Sequence, residues 1–355
     1  MGRLSRAESC PDDEVNVVHC INRCVRRGFL CGQDAVTGEN YEHRREWIRR
    51  RFEFLAEQMA VEVLGFAILS NHFHIVLRNR PDVVGDWSDE EIVRRWWNLC
   101  PARRNEDKSA AEPTELELKA LKGDKEKVAE YRKRLSSVSW FMRFVAENIA
   151  KRANSDDQVT GRFWEGRFKC QPLLDDAAIL ACMQYVDLNP VRAGIAKTIE
   201  SSDFTSAQDR LADLKQAAEL TTPAAADKAC EHGEQAGWLA PVQLEPKRQA
   251  VREKATKRRA SNKGFLSMTL AEYLQLLDWT GRQVRRDGKS GRTPPELRAV
   301  LDRVGVSPEL WVDCVKRFHR WHGSGVGRPA SIQRHTERSG RNRSLNTGIS
   351  RSVFS

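Results

Sequence analysis

Apolar residues recur along this chain in two rhythms, and the changes between them set out its elements. Residues 14–22, EVNVVHCIN, are dense in β-branched side chains and predict a strand. From Tyr41 to Met59, the residues Trp47, Ile48, Phe52, Leu55 and Met59 recur at helical spacing among arginines and glutamates, which predicts an amphipathic helix with a basic outer face. Two strands follow, 61–68 (VEVLGFAI) and 72–78 (HFHIVLR), joined at Ser70-Asn71 as a hairpin. Residues 84–137 are highly charged, with helical spacing in each half and a polar break near 103–112; they read as an inserted helical excursion. An apolar stripe returns over 138–153, the loop SDDQVTG follows, and RFWEGRFKCQPL at 162–173 reads as a strand of basic-aromatic character. Asp175-Asp176 open a helix that stops at Asn189-Pro190, because proline disfavours helical geometry in the residue before it.

Past residue 206 the rhythm fades. Residues 206–264 read as a polar and then basic linker, with eight Lys/Arg and one acid between Lys247 and Lys263. Three helix starts, at Thr269 with Glu272, Thr293 with Pro294 and Glu296, and Ser307 with Pro308, predict a small helical bundle over 265–322. From Arg320 onward there are seven arginines against one glutamate, so 323–355 reads as a flexible basic tail. The chain therefore divides into a segment 1–13, an α+β domain 14–205 carrying the 84–137 insertion, a linker, a helical unit and a tail.

Charge narrows the class of partner. With 59 Lys and Arg against 49 Asp and Glu, the net charge is +10, which favours a polyanion, nucleic acid first. No apolar run reaches about 18 residues and the N-terminus lacks the pattern of a secretory signal, so a soluble, cytoplasmic protein with no membrane partner is expected. Nine scattered cysteines argue for reduced thiols. Cys20, Cys24 and Cys31, with His19 beside them, form the closest group, but no CxxC occurs and ordinary buried cysteines are the better reading.

The candidate chemistry begins on the hairpin. Side chains at i and i+2 of a strand share a face, so Phe73, Ile75 and Leu77 form an apolar face while His72 and His74 project from the other. Such a pair is placed to hold one cation; exposed or hydrogen-bonded histidines are the alternative. On the helix after Asp176, Ile179, Cys182, Met183 and Val186 form the core stripe. At about 100° per residue, Tyr185 and Asn189 lie together on one flank. They either face a site or are a packed tyrosine beside a helix-ending asparagine.

Four motifs in order change that balance: the strand VVHCINRCVRRGFL with its His-x-x-Asn-Arg pattern, the hairpin NHFH, FWEGRFK and YVDLNPVRAG. Together they resemble the single-tyrosine HUH transposases, best the REP-associated tyrosine transposase branch, over roughly 14–80 and 138–205. The resemblance implies a ferredoxin-like antiparallel sheet backed by helices. It implies His72, His74 and Asn189 as ligands of a divalent metal, Mg²⁺ or Mn²⁺, and Tyr185 as the nucleophile. It further implies cleavage and rejoining of single-stranded or hairpin DNA through a 5′-phosphotyrosine in a bacterial-type, nucleoid-associated protein; monomer or homodimer is left open. Trp164, Arg167, Phe168, Lys169 and Arg192 become nucleic-acid-binding candidates, rings for base stacking and charges for phosphate. For Trp164 and Phe168, core packing is an equal reading, and for RRWWNLCPARR at 94–104 it is the stronger one.

A free tyrosine, with a pKa near 10, is a weak nucleophile at neutral pH, so a neighbouring cation has a role in its activation. Three departures from the family stand out: the long 84–137 insertion, Ser70 where proline is frequent, and Asp187 where a larger residue is common. The rival readings are a non-catalytic DNA-binding regulator, a replication-initiator or relaxase-like nuclease, and an RNA-processing protein. No P-loop is present to support a fused helicase.

Overall fold

In chain order, β1 (Val17–Arg23) leads through α1 (His43–Gln58) to the hairpin of β2 (Val61–Ile68) and β3 (His72–Asn79). Four short helices follow: α2 (Pro81–Gly85), α3 (Asp89–Leu99), α4 (Glu115–Gly123) and α5 (Lys125–Leu135). Then come α6 (Val138–Asp156), β4 (Lys169–Leu173), α7 (Asp176–Asp187), the single turn α8 (Asn189–Arg192) and α9 (Ser206–Glu219). The C-terminal unit holds α10 (Leu270–Val284), α11 (Pro295–Val304), α12 (Trp311–Arg317), which continues as a 3₁₀ turn Phe318–Arg320, and α13 (Pro329–Arg338). This computed structural model describes residues 10–25, 30–34, 38–219, 237–244, 258–285, 293–320, 325–339 and 353–354.

The sheet order is β2-β3-β1-β4, antiparallel throughout. β1 and β2 are thus parallel with β3 between them, and β3 and β4 are parallel with β1 between them. These are two interlocked βαβ units closed by α1 and α6, the ferredoxin-like arrangement. Phe73, Ile75 and Leu77 pack under α1 and α6, whereas Val76 belongs to a second core made with α7 and the C-terminal unit. The sheet is therefore buried on both faces.

The insertion folds back on the domain. Ser88 and Thr114 cap α3 and α4, the latter as a full capping box with Glu117. Trp96 and Trp97 of α3 are buried, and Trp97 Nε1 donates to the Ala111 carbonyl at 2.6 Å, so this stretch is core. A glycine sets how closely α7 approaches. At Gly65, where the β2–β3 register shifts, a Cβ would meet Met183 Cε at 2.5 Å and Ser206 Oγ at 2.9 Å.

Several expected boundaries change. Only 169–173 of the 162–173 run pairs as a strand; ahead of it, Trp164 makes a single bridge to Cys24. The 206–264 stretch is not simply a linker. It begins with α9, and Trp238, Leu239 and Val242 are buried; isolated apolar residues in a polar run gave no periodicity to reveal this. Its central parts, 220–236 and 245–257, lie outside the described residues. Thr269 and Glu272 do form a capping box, but α11 starts at Pro295 and Thr293 instead donates to the Pro308 carbonyl. The 323–355 tail contains α13, in which Ile332 and His335 are buried, and Arg338 in its last turn pairs with Glu14 at 2.5 Å. No helix among the described residues is long and apolar enough to cross a membrane.

Candidate active site

Strand alternation puts His72 and His74 on the sheet face that α7 covers, as the sequence spacing predicts. Asp175 starts α7 by accepting the Ala178 N–H at 3.0 Å, and the helix runs on through a stripe of small and apolar residues to Asp187. Pro190 supplies no N–H to the ladder, and the chain resumes as the one-turn α8. This path lays the Tyr185 ring edge-on against His74, with centroids 5.5 Å apart and planes at 88°.

Three imidazoles meet here rather than two. His19, on β1, lies with Nε2 2.9 Å from His74 Nδ1, and His74 Nε2 lies 3.1 Å from His72 Nε2. His72 Nδ1 lies 2.6 Å from Asn71 Oδ1, so it carries the proton and leaves Nε2 with a lone pair. His19 is also 6.2 Å from the Tyr185 ring. Sequence reading placed it near the cysteines and missed this role; the signal lay in its position on β1, but pairing two residues so far apart needed the register.

The field around the imidazoles is positive. Burial, then Arg23 and Lys169, pushes His72 down to about 4, and burial, then His19, His72, Arg192 and Arg23, pushes His74 well below its ordinary value. Each imidazole thus takes up its proton more readily in the unfolded chain, at the ordinary value of 6.5, than in the fold. The sign follows: this stability is complete above about pH 6.5 and is lost as the pH falls towards about 4. The midpoint of thermal unfolding should fall over that window, and His72→Gln should flatten the fall; differential scanning fluorimetry across pH 4–8 checks it.

The donor set suits a divalent cation. Two ligands at about 2.1 Å and a right angle from one ion stand about 3 Å apart, close to the Nε2–Nε2 separation. With His74 protonated on Nδ1, His19 Nε2 accepts that hydrogen bond and His74 Nε2, like His72 Nε2, keeps a lone pair. Among the described residues no group of three or more His, Cys, Asp or Glu is arranged to hold a metal, so any remaining ligands are an amide, water or the substrate. Asn189 is buried at the start of α8, and its side chain makes no hydrogen bond to either histidine among the described residues.

The expected nucleic-acid contacts divide. Arg23 stands opposite His72 across the ladder, Arg167 and Lys169 are exposed, and the Arg192 guanidinium lies over the Tyr185 ring at 4.6 Å. Trp164 is a correction: it is buried, its Nε1 donates to the Ala146 carbonyl at 2.9 Å and its ring meets Phe73 at 5.8 Å. Phe168 is half-buried against the same core. Asp187, two residues from Tyr185, points away from the imidazoles into the helical core. It accepts from Ser206 Oγ at 2.6 Å, Ala207 N at 3.0 Å and Tyr273 Oη at 2.5 Å.

No family model matches this sequence, and no curated protein does. Among solved structures the chain is similar to a REP-associated tyrosine transposase bound to a REP hairpin. The identity is 11% over 56% of this chain and 79% of that one, with a TM-score of 0.33. So distant a likeness leaves the chemistry to be read from the residues themselves.

Proposed function

We propose that this chain cleaves and rejoins single-stranded DNA at hairpin or repeat elements, as a transposase-type enzyme with Tyr185 as nucleophile. One observation carries the reading: Tyr185, from a helix remote in sequence, packs on His74, whose Nε2 faces that of His72. The ordered family motifs in the sequence point to the same residues.

The chemistry assigns each group a task. The Tyr185 oxygen attacks phosphorus, the bond to the 3′ oxygen breaks, the phenol proton passes to solvent or a nearby base, and the leaving 3′ oxygen takes up a proton. A 5′-phosphotyrosine and a 3′-hydroxyl remain, and the reverse attack rejoins a strand without ATP. Mg²⁺ or Mn²⁺, held by His72, His74 and, in this reading, Asn189, supplies Lewis-acid polarisation of the phosphate when bound. His19 fixes the tautomer of His74. Arg23, Arg167, Lys169 and Arg192 hold the phosphate backbone by charge, which makes binding salt-sensitive.

Incubation with a single-stranded hairpin oligonucleotide should give a covalent species on a denaturing gel with Mn²⁺, and none with a chelator or with fully paired duplex. Tight binding that is indifferent to metal and leaves the strand intact would instead identify a DNA-binding regulator.

A further inference from the structure

The C-terminal helical unit reaches into the site. Tyr185 is only 6% exposed and Phe318 only 1%. The two rings lie 5.3 Å apart at 33°, and Phe318 also stands 6.2 Å from His19. The Arg192 guanidinium over the Tyr185 ring donates from Nη2 to the Lys316 carbonyl at 2.9 Å. Two of the ring's neighbours, Phe318 and Arg192, are therefore fixed by one short stretch, Lys316–Phe318.

That stretch is itself anchored. Trp311 Nε1 donates to Thr280 Oγ1 at 2.8 Å, tying α12 to α10. Val326 pairs alongside β4: Leu174 N donates to its carbonyl at 2.8 Å and its own N–H donates to Pro172 at 2.9 Å. Arg328 N donates to Asp175 Oδ2 at 2.6 Å, on the carboxylate that caps α7. At the other end of α7, Tyr273 donates to Asp187. The unit thus grips the tyrosine helix at both ends and closes over the ring between them.

We propose that the C-terminal unit is a working part of the active site, with Phe318 as a positioning residue that holds Tyr185 against His74; this rests on Tyr185 being the nucleophile. A phenol pivots about two side-chain torsions, and in-line attack needs its oxygen held within a fraction of an ångström. Phe318 and the Lys316–Arg192 contact remove that freedom, so the site is completed by a segment far along the same chain.

The test uses the full-length chain labelled with ring-¹³C tyrosine. Only four tyrosines are present, and the Tyr185 resonance is the one missing from Tyr185→Phe protein. Phe318→Leu keeps an apolar filler but removes the ring. It should move the Tyr185 resonance towards the free-tyrosine position and leave Tyr41, Tyr131 and Tyr273 unchanged. Adduct formation at saturating oligonucleotide should slow by about tenfold or more, with the half-saturating concentration unchanged. Phe318→Tyr, which keeps the ring, should restore the rate to within about threefold. An unmoved resonance in Phe318→Leu overturns the proposal, as does a moved resonance with an unchanged rate. If the unaltered chain forms no adduct while its Tyr185 resonance still reports the Phe318 ring, the nucleophile reading has failed and takes this one with it.

Discussion

His74→Ala should lower cation-dependent strand cleavage by about 10³-fold, equivalent to about 4 kcal/mol of transition-state stabilisation. His74 is the central imidazole of the three, reaching His19 through Nδ1 and His72 through Nε2, and it is the ring against which Tyr185 rests. Its loss removes half of the Nε2 pair and the hydrogen bond to His19, and frees one edge of the tyrosine. His72→Ala should be less severe for the placement of Tyr185 but equally damaging to cation binding. Single-turnover cleavage of a hairpin oligonucleotide, beside a thermal melt showing that the variant is folded, measures the effect. Cleavage within about tenfold of the unaltered chain would remove His74 from the chemistry.

Asp187→Ala carries the largest expected cost to the fold, about 3–5 kcal/mol by chemical denaturation. The carboxylate is fully buried, and burial raises its pKa while the hydrogen bonds from Ser206 and Tyr273 oppose the rise. It receives three donors from two different parts of the chain, α9 and α10. Alanine would leave the Ser206 and Tyr273 hydroxyls buried without that acceptor. Tyr273→Phe removes one donor and should cost only about 1 kcal/mol. Similar losses for the two variants would mean that Asp187 does not organise this junction.

Much of the domain was legible because its periodicities are strong. The hairpin 61–79, the helix 138–156 and the helix bearing Tyr185 lie close to where spacing predicts them. Of the candidate residues, His74 lies between His72 and Tyr185, because strand alternation and helical pitch settle which face each occupies. The misses share one cause, contacts between residues far apart in sequence. The β1–β3 register that delivers His19 leaves no local trace. Trp164 sits in a basic stretch that resembles a binding surface, and only its meeting with Phe73 makes it core. Trp238 and α13 were hidden because a few apolar residues in polar surroundings look solvated until another surface covers them. Asp187 read as a family departure, whereas it serves a junction with α9 and α10.

The central claim is that Tyr185 becomes joined to DNA, and peptide mapping tests it most directly. Protein incubated with hairpin oligonucleotide and Mn²⁺, digested with nuclease and protease and analysed by mass spectrometry, should carry a nucleotide on the peptide containing Tyr185. Tyr185→Phe protein should carry none. A covalent adduct that persists in Tyr185→Phe, or that maps to Tyr41, Tyr131 or Tyr273, would contradict the account.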